Sequence, residues 1–175
     1  AKSGSNQMSN SPVQIYINSH ELNSATLGNA LTQYGKMSLY FIDHIEVYQA
    51  SNSVTLGNEP ANMIIRLYTK DPSRENGTSS QISVDTRLSS CLRLIDARTF
   101  DEYSYLMNFD ASKNNFEKYD VGTSELSRDG KRAQLYFNFS KKDSYSIEVG
   151  AADEQYDIFS GLGPSIYDGK RHTKN

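Results

Sequence analysis

The chain has 175 residues, 18 basic and 21 acidic side chains and a net charge of −3, so it lacks the basic excess of a dedicated nucleic-acid-binding domain. Its one cysteine, Cys91, excludes an intrachain disulfide framework. The sequence contains no run of about 18 apolar residues, which is the length that a helical membrane span requires.

The first third of the chain predicts strands that are separated by polar segments. Residues 1–12 are small and polar and predict a flexible arm. Residues 13–17 alternate with period two and predict a strand, whereas 18–36 allow one or two irregular helical turns. Two longer β-type segments follow at 36–49 and 61–70, and the second, apolar on both faces, predicts a central strand.

Side-chain alternation within the first long segment predicts which of its faces is buried. One row is apolar except for Asp43, and the other row is mixed. We therefore expect the apolar row to face the core and the mixed row to meet a neighbour or solvent. The predicted core row is Leu39, Phe41, Ile45 and Val47, and the outward candidates for contact with another chain are Tyr40, His44 and Tyr48.

The second half of the chain predicts one more helix and several strands. Leu88, Cys91, Leu92 and Ile95 have helical spacing, which favours a helix over 86–97. Strands are expected at 81–84, 102–110 and 116–121, with a turn at 111–115. Residues 131–150 predict a hairpin that turns at 141–143. Its expected core rows are Ala133, Leu135, Phe137 and Phe139 on the first strand and Tyr145, Ile147 and Val149 on the second.

These elements predict an all-β protein, an antiparallel β-sandwich or jelly roll of about eight strands with one or two short helices. We expect a flexible arm at 1–12, one β-rich domain at 13–160 and a C-terminal tail at 161–175.

No catalytic or cofactor-binding motif is present, so the sequence predicts neither an enzyme nor a cofactor. The three histidines have no metal-ligand spacing, and a buried apolar role is expected for Cys91. Small acidic clusters at 101–102 and 153–157 are expected to be solvated, with a cation site as the alternative.

Basic residues between the tyrosines of the middle third, together with those near the C-terminus, are candidates for contact with nucleic acid or lipid. The alternative is that they pair with nearby acidic residues. The candidates are Arg66, Lys70, Arg74, Arg87, Arg93, Arg98, Lys170, Arg171 and Lys174.

The order of elements over about residues 36–150 resembles small single jelly-roll viral coat proteins. A polar arm is followed by a long strand containing Ile42 to Val47, a polar turn, a buried strand around Ile64, a Pro and Asn-Gly loop, a short helical stretch and paired strands. The resemblance implies a virion subunit, located in the virion or the host cytoplasm. The chain departs from the family in its arm, because residues 1–36 hold only Lys2, Lys36 and Glu21 as charged residues, which puts genome packaging by the arm in doubt.

The sequence therefore predicts a structural subunit that self-assembles, most simply a virion coat or matrix protein. Its expected partners are further copies of itself, with nucleic acid or other virion components in addition, and Tyr136 joins the candidates for subunit contact. The alternative is a secreted or surface β-sandwich that binds carbohydrate or protein through exposed tyrosines.

Overall fold

The computed structural model describes residues 13–22, 37–49, 63–116, 118–121, 124–126, 129–160 and 167–174. The predicted arm at 1–12 and most of the predicted helical turns at 18–36 lie outside these residues. The chain divides into two compact units, Ala1–Asp71 and Pro72–Asn175, so the predicted domain at 13–160 contains parts of both. The described part of the chain holds twelve strands and one short helix, which confirms the all-β fold class.

The first unit contains a four-stranded sheet. Its strands are β1 (Val13–Ile17), β2 (His20–Leu22), β3 (Ile42–Gln49) and β4 (Met63–Thr69), in the order β2-β1-β4-β3. Strands β1 and β4 are parallel, and the other two pairs are antiparallel. Strand β4 lies between two neighbours and buries Ile64 and Leu67, so the predicted central strand is confirmed.

A β-bulge at the start of β3 reverses the faces that simple alternation predicts. Ile42 pairs with Thr69 and His44 pairs with Tyr68, so Asp43 is the extra residue. Phe41 and Ile42 are both buried before the bulge, whereas Ile45 is 45% and Val47 54% exposed after it. Leu39 is exposed as well, so only Phe41 of the predicted core row is buried. The extra residue shifts the side-chain alternation by one position.

The second unit is dominated by a six-stranded sheet in which every pair of neighbours is antiparallel. The helix α1 (Pro72–Glu75) precedes it, and β8 (Tyr119–Val121) and β9 (Ser124–Leu126) form a separate pair. The sheet order is β12-β11-β10-β7-β6-β5. Its strands are β5 (Gly77–Val84), β6 (Ser90–Phe100), β7 (Tyr103–Asn114), β10 (Gly130–Lys141), β11 (Tyr145–Ser160) and β12 (Tyr167–Lys174).

The helix predicted over 86–97 is wrong, because this segment is a turn followed by β6. The Asp85 carboxylate accepts hydrogen bonds from the backbone N–H groups of Arg87 and Ser89, at 2.8 and 2.9 Å. Leu88 occupies the left-handed region with φ 60° and is exposed, and the strand then starts at Ser90. The helical spacing of the apolar residues therefore combines one turn residue with three strand residues.

Other boundaries in the second unit also differ from the sequence prediction. The turn expected at 111–115 is wrong, because β7 continues to Asn114. The strand expected at 116–121 is confined to Tyr119–Val121, and residues 167–174 of the expected tail form β12. The predicted hairpin is confirmed, with β10 and β11 joined through a turn in which Asp143 has φ 54°.

The two faces of the six-stranded sheet differ sharply in polarity, and the polar one is buried. The buried face includes Ile95 and Leu106 but also Asn108, Asp110, Gln134 and Glu154. The opposite face is mainly apolar and is half-buried or exposed, and we call it the exposed apolar face. Its main members are Ile82, Val84, Leu92, Leu94, Phe100, Tyr103, Tyr105, Met107, Phe109, Leu135, Phe137, Phe139, Tyr145, Ile147 and Val149. Register also places Asp96, Arg98, Lys113, Lys131 and Lys141 on it.

The core rows predicted for the hairpin are therefore wrong. Ile147 is 53% and Val149 51% exposed, Tyr145 and Leu135 are also exposed, and β10 buries Gln134 and Tyr136 instead. Side chains of the hairpin alternate between the two faces of the sheet as predicted, but the buried row of β10 is the one that alternates with the predicted core row.

Candidate functional site

The predicted basic residues are divided between the two units. In the first unit the Arg66 guanidinium lies 5.6 Å from the centre of the Tyr16 ring, and the Lys70 Nζ lies 5.1 Å from that of Tyr40. Both cations thus stack on tyrosines of the same unit.

In the second unit, two of the predicted arginines pair with acidic residues. Arg93 bonds to Asp110, and Arg98 lies 3.6 Å from the Asp96 carboxylate. Arg74 lies in α1, Arg87 in the turn before β6, and Lys170, Arg171 and Lys174 on β12. Arg93 and Arg98 therefore pair with nearby acidic residues, which was the alternative to nucleic-acid contact.

The predicted subunit-contact residues His44 and Tyr48 belong to a polar and aromatic cluster on the four-stranded sheet. The Glu46 carboxylate accepts hydrogen bonds from the Tyr48 and Tyr68 hydroxyls, at 2.7 and 2.8 Å. The His44 ring stacks on Tyr68 with centroids 4.5 Å apart, and its Nδ1 lies 3.0 Å from the Asp43 carboxylate. Tyr40, which precedes β3, is half-buried. Tyr136 lies in the other unit and is only 4% exposed, so it has little surface left for contact with another chain.

Hydrogen bonds from the two tyrosine hydroxyls lower the pKa of Glu46 below its ordinary value of 4.5, because they stabilise the carboxylate over the acid. The folded state therefore binds a proton at Glu46 less readily than the unfolded state. This contribution to stability is complete above the ordinary pKa and is lost as the pH falls towards the lowered one.

We expect the melting temperature of the wild-type protein to fall as the pH drops below about 4.5, the ordinary pKa of Glu46, and Glu46→Gln to remove part of that fall. The measurement is thermal unfolding followed by circular dichroism between pH 3 and 7. The control is Glu21→Gln on β2 of the same sheet, which should keep the wild-type profile. Identical profiles for wild type and Glu46→Gln would contradict the assignment.

A charged network on the buried face of the six-stranded sheet is centred on Asp110. Asp110 is 0% exposed. Arg93 Nε donates to one of its carboxylate oxygens at 3.1 Å, and Arg132 Nη2 donates to the other at 2.8 Å. Arg93 Nη1 also donates to Gln81 Oε1 at 3.3 Å. Because Arg93, Asp110 and Arg132 lie on β6, β7 and β10, these bonds join three neighbouring strands.

Asn108 lies two residues before Asp110 on the same face and is 0% exposed. Its amide oxygen and nitrogen make no hydrogen bond to the part of the chain that the structure describes, and the same holds for Arg132 Nε. Such groups are unusual, since buried polar atoms are nearly always bonded. The buried face is therefore more polar than an ordinary core.

The exposed apolar face carries a row of aromatic rings at one end of the sheet. Tyr103 stacks on Phe139 with centroids 5.8 Å apart, and Phe139 meets Tyr145 at 6.4 Å. Phe100 stacks on Tyr105 at 6.1 Å. Register explains the row, because Phe100 pairs with Tyr103, Tyr105 with Phe139 and Lys141 with Tyr145 across four neighbouring strands.

Asp96 binds the hydroxyl of Tyr105, one of the rings of this aromatic row. Its carboxylate accepts hydrogen bonds from the hydroxyls of Thr78 and Tyr105, and both bonds lower the pKa of Asp96. The bond between Tyr105 and Asp96 also raises the pKa of Tyr105. Arg98 contributes in the same direction to the pKa of Asp96. The Tyr105 ring is thus held against the sheet by its hydroxyl.

The sequence prediction did not select this face as a surface. Only its hairpin residues, Leu135, Phe137, Phe139, Tyr145, Ile147 and Val149, are predicted as core, because apolar rows of strands are usually buried. The signal that could have revealed it is the row of opposite charges on the alternate positions: Arg93, Asp110 and Arg132 share one face once the strands pair in register.

Within the described ranges, no group of three or more His, Cys, Asp or Glu side chains could hold a metal ion. The helix there is too short to cross a membrane. Comparison with protein-family models, with curated proteins and with solved structures finds no match for this chain.

Proposed function

We propose that this chain is a structural subunit that self-assembles through the exposed apolar face, as a coat or matrix protein of a virion does. The observation that carries the proposal is the breadth of that face. It runs over five neighbouring strands from Ile82 to Val149, and Phe100, Ile147 and Val149 are each more than half exposed. Exposed apolar patches of this kind usually mark contact with another molecule.

The size of the face fits contact with one further copy of the chain. Five strands at about 4.8 Å spacing span about 19 Å, and strands of about 11 residues rise about 37 Å, which gives roughly 700 Å². A standard protein interface covers about 800 Å² on each partner. The face is therefore large enough for a stable association without a contribution from other surfaces.

The composition of the face favours a copy of the same chain over a transient partner. The central positions on β7 and β10 are Met107, Phe109, Leu135 and Phe137, and none of these four is charged, whereas Asp96 lies beside Met107 on β6. Interfaces between identical subunits are more apolar than transient ones, and their centres are depleted in charge. Tyrosine and phenylalanine rings also supply contact area with few rotatable bonds.

The test is size-exclusion chromatography with light scattering over a range of protein concentrations. We expect a mass that rises above the monomer value of 19.7 kDa as the concentration increases. A strict monomer at the highest concentration would overturn self-assembly. If association is found, the salt dependence of nucleic-acid binding separates the two virion roles, because a steep dependence is expected of a coat protein and a flat one of a matrix protein.

A second candidate function, carbohydrate binding, is favoured by the aromatic row. Stacked rings such as Tyr103 and Phe139 offer a flat apolar platform, with Lys141 and Glu102 at its edge, and the apolar face of a sugar ring can stack on such rings. This function predicts a monomer that binds glycans on an array and loses binding in Tyr103→Ala. If the protein associates and binds no glycan, self-assembly remains as the one proposed function.

A further inference from the structure

The end of the exposed apolar face that lies away from the aromatic row contains a groove of about 380 Å³. Ile82 and Leu92 form an apolar wall, and the small side chains of Ala111 and Ser90 leave the space between them. The volume lies within the range of about 300 to 1,000 Å³ that is typical of small-molecule sites. The groove thus offers room for a chain-like apolar group.

Two lysines close the groove at the end of the sheet. Lys113 of β7 and Lys131 of β10 are direct partners in the antiparallel register, so both project from the same face. Like charges at directly opposed positions destabilise a sheet. Neither ammonium group forms an ion pair within the described ranges.

Two carboxylates share a pocket with these lysines. Asp129 and Asp157 line an adjoining polar pocket that also includes Lys113 and Lys131. The Asp129 carboxylate accepts a hydrogen bond from the backbone N–H of Phe116 at 2.8 Å. In a chain that is not associated through the exposed apolar face, the two ammonium groups are therefore open to an anion that arrives from the groove.

We infer that this groove binds a free amphipathic carboxylate such as a medium-chain fatty acid. The alkyl chain lies against Ile82, Leu92 and Ala111, and the carboxylate lies between Lys113 and Lys131. A charge-assisted hydrogen bond from each ammonium group would relieve the repulsion between the lysines. A nucleic acid fits less well, because its backbone needs a row of cations and the groove wall is apolar.

The test is isothermal titration of the full chain with decanoate below its micelle concentration. Two further probes separate the contributions: acetate has the head group alone, and decyltrimethylammonium has the same tail with the opposite charge. We expect saturable binding of decanoate, with neither of the other probes bound. Equal binding of decanoate and decyltrimethylammonium, or no binding of decanoate, would overturn the inference.

The variants assign the site. Lys113→Gln with Lys131→Gln should weaken decanoate binding by about tenfold or more, because two charge-assisted hydrogen bonds are lost. Ala111→Phe should fill the groove and abolish binding. The matched control is Lys141→Gln, at the other end of β10, which should bind as the wild type does.

Circular dichroism checks that each variant is folded, and unchanged affinity in the folded double variant would contradict the assignment. Co-sedimentation with anionic-lipid vesicles, without a response to decanoate, would assign the lysines to a lipid surface and would also overturn it.

Discussion

Replacing Asp110 by alanine is expected to lower the free energy of unfolding by about 3 to 5 kcal/mol. The substitution removes the ion partner of Arg132 and the carboxylate that binds Arg93, and it leaves both guanidinium groups without that partner. The Arg132 side chain is 17% exposed, so water can replace the lost hydrogen bond only in part. An uncompensated buried charge is costly, which is why the loss of one partner has a large effect.

Urea unfolding followed by circular dichroism measures this effect. Glu102→Ala is the matched control, because it also removes an ion pair, with Lys141, but at an exposed position, and such pairs contribute less than about 1 kcal/mol. A triple variant with Asp110→Leu, Arg93→Met and Arg132→Met should recover part of the loss, since no charge is then left unpaired. If Asp110→Ala unfolds within about 1 kcal/mol of the wild type, the network does not hold the strands together.

Local patterns in the sequence are sufficient to predict most strands of this fold. Residues 13–17 alternate and form β1, and the hairpin prediction at 131–150 corresponds to β10 and the start of β11. The helix prediction over 86–97 fails because Leu88 belongs to a turn closed by Asp85. Helical spacing over four residues cannot be told from a turn followed by a strand without knowing where β6 begins.

The orientation of the strands is harder to predict than their positions. Alternation assigns residues to two faces, but which face is covered depends on the tertiary partner. In β7 and β10 the buried row includes Asp110 and Gln134, and the exposed row includes Leu135. The bulge at Asp43 reverses the faces of β3 for a local reason that the sequence also does not reveal. The β10 and β11 part of the proposed surface is therefore visible in the sequence as apolar rows, but these rows predict a core.

The opposite polarities of the two sheet faces make the proposed association testable with few substitutions. Ile147 and Val149 lie on β11 and are 53% and 51% exposed, so replacing both by lysine costs the isolated chain little. We expect the free energy of unfolding of the monomer to change by no more than about 0.5 kcal/mol per site.

In an associated state the same two lysines would be buried against an apolar surface without a partner. Removing two apolar contacts of the face costs about 1 to 2 kcal/mol each, and burying unpaired charges adds to this, so the dissociation constant should rise by about 100-fold or more. Light scattering over a concentration series measures the change.

Ser83→Lys with Thr99→Lys is the matched control, because it adds the same charge at exposed positions whose side chains belong to the other face of the sheet. The control should associate as the wild type does. If both double variants weaken association equally, net charge and not the exposed apolar face controls it. If the Ile147 and Val149 variant associates unchanged, the subunit contact lies elsewhere on the chain.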